Sequence, residues 1–170
     1  MKLETHIDTT DFSSWFDLED LRTDNSIDEL RITLRDLLKE SRVILGAKFE
    51  DQANITELVR GRSWLVDQIL TNCWKQIIGD DPQLCLVAVR GYGRQELQPG
   101  SDIDLLILLD SEESQQQAEK LETLLMLLWD IGLEVGHSVR TVDDCEAQCK
   151  DDITVITNLQ EARLLAGNQS

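Results

Sequence analysis

Two short apolar runs, at residues 84–89 and 103–109, constrain the fold of this 170-residue chain more than any other feature. The first reads LCLVAV, and the second, IDLLILL, carries a single aspartate among apolar residues. Runs this short and this continuous predict strands that are buried on both faces. Both strands therefore need other elements to cover them.

The first half of the chain has helical periodicity. Behind a Ser-x-x-Glu capping box, Ser26 with Glu29, apolar residues at helical spacing predict a long amphipathic helix from Ser26 onward. A second helix is predicted at residues 55–78, ending near Gly79. Residues 1–28 are acidic, with few apolar side chains, and predict either a weakly ordered leader or a short docked helix.

The remaining pattern predicts a compact mixture of helices and strands. It contains a helix at residues 111–131, a third strand at 133–139 and a last helix at 153–165. We expect an α+β (α/β) fold with a small mixed sheet preceded by long amphipathic helices. The acidic leader and helical region, 1–80, should pack on a core formed by 81–170 in one structural unit.

Charge and hydropathy exclude several classes of partner. A net charge of −17 lacks the basic face that captures DNA or RNA, so no nucleic acid is expected. The chain has no apolar stretch approaching the roughly eighteen residues that span a bilayer, and its acidic start does not resemble a signal peptide. A soluble, cytoplasmic protein without membrane contacts is the prediction.

A pair of carboxylates opens the second apolar run. Asp102 and Asp104 are two positions apart, so in a strand their side chains share one face. Two like charges beside a buried strand are costly unless a cation binds between them. Oxygen ligands of this kind suit Mg²⁺ or Mn²⁺ and do not suit zinc. The pair therefore predicts a divalent metal site.

A glycine-rich turn lies directly upstream of the two acids. Gly91 and Gly93 allow backbone N–H groups to approach a phosphate closely, and Arg94 can neutralise its charge. The loop at residues 98–101 lets the chain reverse, so the acids can face the glycines. Metal carboxylates beside a phosphate-binding turn predict phosphoryl or nucleotidyl transfer.

The order Gly-Tyr-Gly-Arg at 91–94 and Ser-Asp-Ile-Asp at 101–104 resembles the motifs of the nucleotidyltransferase superfamily typified by DNA polymerase beta. The resemblance implies that Asp102 and Asp104 are catalytic and bind the metals. Superfamily members usually add a third carboxylate on the next core strand, and Glu134 occupies that position. The resemblance further implies a set of nucleotide-binding residues: Gly91, Tyr92, Gly93, Arg94 and Ser101.

Three longer strings, at residues 87–108, 127–145 and 152–167, resemble a narrower family. In the same order they are similar to the amino-terminal domain of the bacterial bifunctional PII uridylyltransferase/uridylyl-removing enzymes. This resemblance implies transfer of UMP from UTP to a tyrosine hydroxyl of the PII nitrogen-regulatory protein, with release of pyrophosphate. UTP and PII are then the expected partners.

The chain departs from the family pattern at Arg90 and Gln95, where the family has small residues. A side chain at position 90 costs about 1 kcal/mol if the backbone needs a glycine conformation, and it can crowd the phosphate. An alternative is therefore a catalytically impaired module that docks PII or nucleotide without turnover. The family's hydrolase and glutamine-sensing domains do not fit after Gly167, so we expect an excised domain or a reduced homologue without those activities.

Three further residues have two interpretations each. His137 is either a base or, as a lone strand histidine more often is, a structural residue, so it is left out of the catalytic set. Arg140 either binds phosphate or, as we favour, pairs with Asp143 or Asp144. Tyr92 packs either under its loop or against the ligand.

Overall fold

The computed structural model describes residues 10–22, 26–112 and 114–167. Two 3₁₀ turns, Phe12–Ser14 and Glu19–Arg22, come first. The helices are α1 (Ile27–Glu50), α2 (Ile55–Ile77), α3 (Arg90–Gly93), α4 (Gln115–Asp130), α5 (Val142–Asp151) and α6 (Ile153–Gln160). The strands are β1 (Leu84–Ala88), β2 (Ile103–Leu109), β3 (Val135–Thr141) and β4 (Arg163–Gly167).

The two long amphipathic helices are confirmed. The Ser26 hydroxyl accepts a hydrogen bond from the Glu29 N–H at 3.3 Å, and the Glu29 carboxylate accepts one from the Ser26 N–H at 2.9 Å. This is the predicted capping box, and it satisfies two backbone donors at the start of α1. Helix α2 ends at Ile77, one residue before the predicted limit. No described helix is long and apolar enough to cross a membrane.

The segment before α1 docks on α2 where the structure describes it, at residues 10–22. Phe16 is buried, and its ring stacks on Trp64 with centroids 6.2 Å apart. A Cβ built on Gly61 of α2 would lie 2.6 Å from the Trp15 ring, so glycine there lets the ring pack against the helix. Of the two predicted alternatives, a weakly ordered leader or a short docked helix, the docked form describes residues 10–22. Residues 1–9 and 23–25 lie outside the described part of the chain.

The sheet is mixed, as predicted, with strand order β3-β2-β1-β4. Strand β1 pairs antiparallel with β2 and β4, and β2 pairs parallel with β3. Alternate residues face opposite sides. Leu86 and Ile107 join α1, α2 and α4 in the main core, whereas Val87 and Leu106 meet Cys145 of α5 on the other side. Both apolar runs are thus strands with two covered faces, and the α+β fold is confirmed.

The prediction of a last helix at residues 153–165 is wrong in its second half. Helix α6 ends at Gln160, and Arg163–Gly167 forms β4, which pairs antiparallel with β1. The apolar stretch in β4 suits a helix or a strand, and its pairing with the free edge of β1 decides between them. The other boundaries also shift: α4 begins at Gln115 and β3 begins at Val135, one residue after Glu134.

Candidate functional site

The two acids of the Asp-x-Asp motif lie at the start of β2. Ile103 between them is 1% exposed and points into the main core, so the neighbouring side chains point to the opposite face. Asp102 is exposed, and Asp104 is half-buried. Both line one cavity of about 380 Å³, together with Gly91 and Ser101.

The glycine turn is a single helical turn, α3, that is bonded to β2. The Val89 N–H just before it donates to the Asp104 carbonyl at 3.1 Å, and the Gly93 N–H donates to the Val89 carbonyl at 3.1 Å. The first N–H groups of a helix have no acceptor within it. In the described part of the chain, the N–H groups of Gly91 and Tyr92 have no hydrogen-bond partner. Both residues line the cavity, so unused donors lie beside the two acids.

The pKa of the Asp104 carboxyl group is raised above its ordinary value. Burial raises the pKa of its carboxyl group, the guanidinium of Arg90 lowers it, and the negative charge of Asp102 raises it again. The Arg90 Nη1 lies 3.6 Å from the Asp104 Oδ1. A cation at this position would favour the ionised form of both acids.

The donor set fits Mg²⁺ or Mn²⁺ only if substrate and water complete the coordination. Among the residues that the structure describes, no group of three or more His, Cys, Asp or Glu side chains is arranged to hold a metal ion. Asp102 and Asp104 supply two carboxylates that face one open cavity. Magnesium in proteins is commonly held by one or two carboxylates, with phosphate and water as the other ligands. The residues present meet that requirement.

The two positions that depart from the family pattern both have left-handed backbone. Arg90 has φ 56° and Gln95 has φ 61°, so the backbone on each side of the turn needs a glycine conformation, as the sequence indicated for position 90. A non-glycine residue in this region costs about 1 kcal/mol or more. The chain therefore keeps the backbone of a glycine-rich turn at a cost in stability.

Tyr92 packs under the turn with its side chain buried. It is 1% exposed, and its hydroxyl donates to the Asp67 carboxylate of α2 at 2.6 Å. Burial, then the neighbouring charge of Asp67, raises the pKa of the phenol. Arg163 of β4 pairs with the same carboxylate at 2.7 Å and also donates to the Gly93 carbonyl at 3.3 Å. This network ties α2 and β4 to the turn.

Three residues that support the site were not predicted from the sequence: Asp67, Arg163 and Gly136. Asp67 and Arg163 are charged residues within otherwise apolar stretches of α2 and β4, and that interruption was the available signal. Gly136 aligns with Asp104 in the parallel register, and a Cβ on it would lie 3.3 Å from the Asp104 Oδ1. Its glycine leaves room for the carboxylate.

Gly93 and Arg94 lie outside the residues that line the cavity. A Cβ on Gly93 would come within 2.1 Å of the Glu161 carbonyl oxygen, so this glycine allows the connection between α6 and β4 to pass closely. The guanidinium of Arg94 pairs with Glu96 at 2.8 Å and with Glu161 at 2.5 Å. The described structure thus directs Arg94 to two protein carboxylates.

The remaining candidates flank the site. Glu134 is exposed, and its carbonyl accepts a hydrogen bond from the Ile103 N–H at 2.8 Å, which places it next to Asp102 but outside the cavity lining. The His137 ring lies against Trp129, with centroids 5.8 Å apart. The expected ion pair of Arg140 with Asp143 or Asp144 is not formed among the described residues.

Comparison with known proteins identifies relatives of the chain. No family model matches it. A bifunctional uridylyltransferase/uridylyl-removing enzyme of Pseudomonas putida (strain W619) is 52% identical over 134 residues, which is 78% of this chain and 15% of the relative. The enzyme of the same name from Pseudomonas entomophila (strain L48) is 54% identical over 125 residues, 73% of this chain and 14% of the relative. The chain is homologous to one segment of these enzymes.

The segment shared with the uridylyltransferase/uridylyl-removing enzymes is a small part of their length. A third relative of that name, from Ectopseudomonas mendocina (strain ymp), is 52% identical over 131 residues, 76% of this chain. The chain spans about 15% of the length of these relatives. The motifs predicted a likeness to these bacterial enzymes, and the comparison confirms it for the shared segment.

Proposed function

We propose that this chain is a metal-dependent nucleotidyltransferase domain that transfers UMP from UTP to a tyrosine hydroxyl of PII and releases pyrophosphate. One observation carries the proposal: Asp102, Asp104, Gly91 and Ser101 line the same cavity. Carboxylates for a metal and donors for phosphate are the two components that nucleotidyl transfer requires. The names of the relatives support uridylyl transfer as the reaction, and the acceptor follows from the resemblance to the PII-modifying family.

Five residues of the cavity have roles in this proposal. Asp102 and Asp104 hold Mg²⁺ or Mn²⁺, which would activate the attacking hydroxyl and neutralise charge on the departing pyrophosphate. The N–H groups of Gly91 and Tyr92, and the Ser101 hydroxyl, donate hydrogen bonds to phosphate oxygens. Pairing of Arg163 with Asp67 beneath the turn keeps these donors in position.

Glu134 is the proposed third carboxylate. Its backbone is bonded to Ile103, so it adjoins Asp102 at the edge where β2 and β3 begin. From this place we propose that its carboxylate accepts the proton of the tyrosine hydroxyl as the new bond to phosphorus forms. Gly93 and Arg94, also assigned to nucleotide binding by the resemblance, support the turn from behind.

UTP together with Mg²⁺ is expected to stabilise the chain against heat more than ATP, CTP or GTP with Mg²⁺. A ligand that binds only the folded state adds about 2.7 kcal/mol at 100 times its dissociation constant. For a chain of this size, that gain raises the melting midpoint by roughly 5–10 °C. A thermal-shift panel of the four nucleotides measures it directly.

Mg²⁺ alone and UTP with a chelator serve as controls for this panel, because the proposal requires both components. Equal shifts with all four nucleotides would contradict the preference for UTP. No shift with any nucleotide and Mg²⁺ would contradict nucleotide binding altogether.

A second candidate function rests on the contact of Arg90 with Asp104. A guanidinium 3.6 Å from the carboxylate supplies a positive charge next to the proposed metal position. The Arg90 side chain is 61% exposed, so the pair is weak and screened by solvent. Competition with the metal would give a module that binds nucleotide or PII without turnover.

Replacing Arg90 by glycine distinguishes these two functions. If the arginine blocks the site, Arg90→Gly is expected to raise uridylyl transfer from an undetectable level, because Asp104 becomes free for the metal. Gln95→Gly is the matched control, since Gln95 also has positive φ but is not among the cavity-lining residues. The measurement is the rate of labelled UMP incorporation into PII by each variant. Brisk transfer by the native chain would dismiss the impaired module.

A further inference from the structure

A second cavity lies on the same face of the sheet as Asp104, with a volume of about 320 Å³. In the parallel register Asp104 aligns with Gly136, Leu106 with Ser138, and Leu108 with Arg140. Aligned residues of neighbouring strands point to the same side of a sheet. Asp104 lines both cavities, so the second one continues from the proposed metal position.

Arg140 lines this second cavity, and its guanidinium carries an unsatisfied donor. Its Nη1 atom is buried and has no hydrogen-bond partner in the described part of the chain. A buried charged donor without an acceptor is unfavourable and is uncommon in folded proteins. The Arg140 guanidinium therefore has unused hydrogen-bonding capacity beside the cavity.

The other walls combine apolar and polar groups. Leu106 of β2 and Leu159 of α6 are apolar, whereas Ser138 of β3 and Gln148 of α5 both donate and accept hydrogen bonds. Together with Arg90 and His137, which also line the cavity, such a lining suits a flat ring that has hydrogen-bonding groups at its edge. At about 320 Å³, the cavity is at the small end of the usual range for ligand pockets. This volume is sufficient for one nucleoside.

Arg140 lies on the side of Asp104 that is away from the glycine turn. It lies four residues beyond Gly136 along β3, which corresponds to about 13 Å at the usual rise of a strand. With the α-phosphate at Asp104 and the outer phosphates at the glycine turn, the ribose and base must extend away from that turn. The second cavity is the space that lies beyond Asp104 on that side.

We propose that the second cavity binds the pyrimidine nucleoside part of the nucleotide. The Arg140 guanidinium donates to a carbonyl of the base, and the Gln148 amide accepts from the ring N–H. This inference rests on the nucleotidyl transfer proposed above, because the carboxylates locate the α-phosphate.

Arg140→Gln is expected to weaken UTP binding by about 10- to 100-fold, which is the usual effect of losing a hydrogen bond from a charged group. Inorganic tripolyphosphate, which has no nucleoside, should bind the variant as tightly as the native chain. Titration calorimetry of the full chain with each ligand and Mg²⁺ provides both affinities. Lys150→Gln on α5 is the matched control. Lys150 is exposed and lies outside the cavity lining, so this substitution also removes one positive charge but leaves the cavity unchanged.

Gln148→Ala is the second variant, and it retains the buried arginine should Arg140→Gln fail to fold. It is expected to lower the affinity for UTP several-fold and again to leave tripolyphosphate binding unchanged. Unaltered UTP affinity in the variants would overturn the nucleoside assignment while leaving the proposed function intact. An equal loss for UTP and tripolyphosphate would also overturn it, because the cavity would then hold phosphate. If the native chain binds neither ligand, the proposed function fails and the assignment fails with it.

Discussion

Replacing Asp102 and Asp104 together by asparagine is expected to lower uridylyl transfer by at least about 10³-fold. The two carboxylates open onto the cavity that Gly91 also lines, and asparagine is a poor ligand for Mg²⁺ because it lacks the negative charge. The measurement is incorporation of labelled UMP from UTP into PII at saturating Mg²⁺. Full transfer by the double variant would refute the assignment of the metal site.

The same double variant is expected to fold without loss of stability. The raised pKa of Asp104 means that its ionised form is less favourable in the folded chain, mainly because of burial. For an acid with a raised pKa, stability falls as the pH rises above the unfolded value, so a neutral asparagine removes that penalty near neutral pH. The matched control is Asp110→Asn with Asp151→Asn, which removes two exposed acids away from the cavity. It should keep full transfer activity.

Gly93→Ala is expected to lower the free energy of unfolding by about 3 kcal/mol, at the upper end of the usual range for overpacking. The added Cβ would lie 2.1 Å from the Glu161 carbonyl oxygen and 3.1 Å from that of Ala88. The obstacle is backbone on two sides, so no side-chain rotation relieves the overlap. Thermal unfolding should show a midpoint lower by roughly 6–12 °C.

Gly91→Ala is the control for this prediction because the two glycines are in the same turn. Its Cβ would have only ordinary contacts, at 3.7 Å from the Arg94 guanidinium and from the Glu96 carbonyl. Gly91 lines the cavity, so alanine should leave the melting midpoint nearly unchanged and weaken binding of UTP with Mg²⁺. If both variants melt at the native temperature, the structural role of Gly93 is wrong.

Elements specified by local pattern were predictable from the sequence. The Ser26 capping box and the stripe of α2 encode two helices through contacts within a few residues. The runs that became β1 and β2 are short and apolar on both faces, a pattern typical of strands in the middle of a layered fold. Residues 163–167 had no such signal, because they form a strand by pairing with β1, which is far away in the sequence.

The candidate site also has features that the sequence predicted and features that it did not. The i, i+2 spacing of Asp102 and Asp104 sufficed to place both acids on one face, since side chains alternate along any strand. The ion pair of Asp67 with Arg163, which supports the glycine turn, was not predictable because the two residues are 96 positions apart. The cavity lined by Arg140 was not predictable either, because Asp143 and Asp144 on the following helix were equally available in the sequence as ion-pair partners.

The amino-acid sequence by itself determined the two long helices, the central strands and the facing pair of acids, because each depends on repeats of two to four residues. Tertiary structure alone decided that β4 closes the sheet, that Tyr92 is anchored beneath the turn and that Gly93 allows a close backbone passage. Those features arise from groups that meet only after the chain has folded, and short-range periodicity carries no information about them.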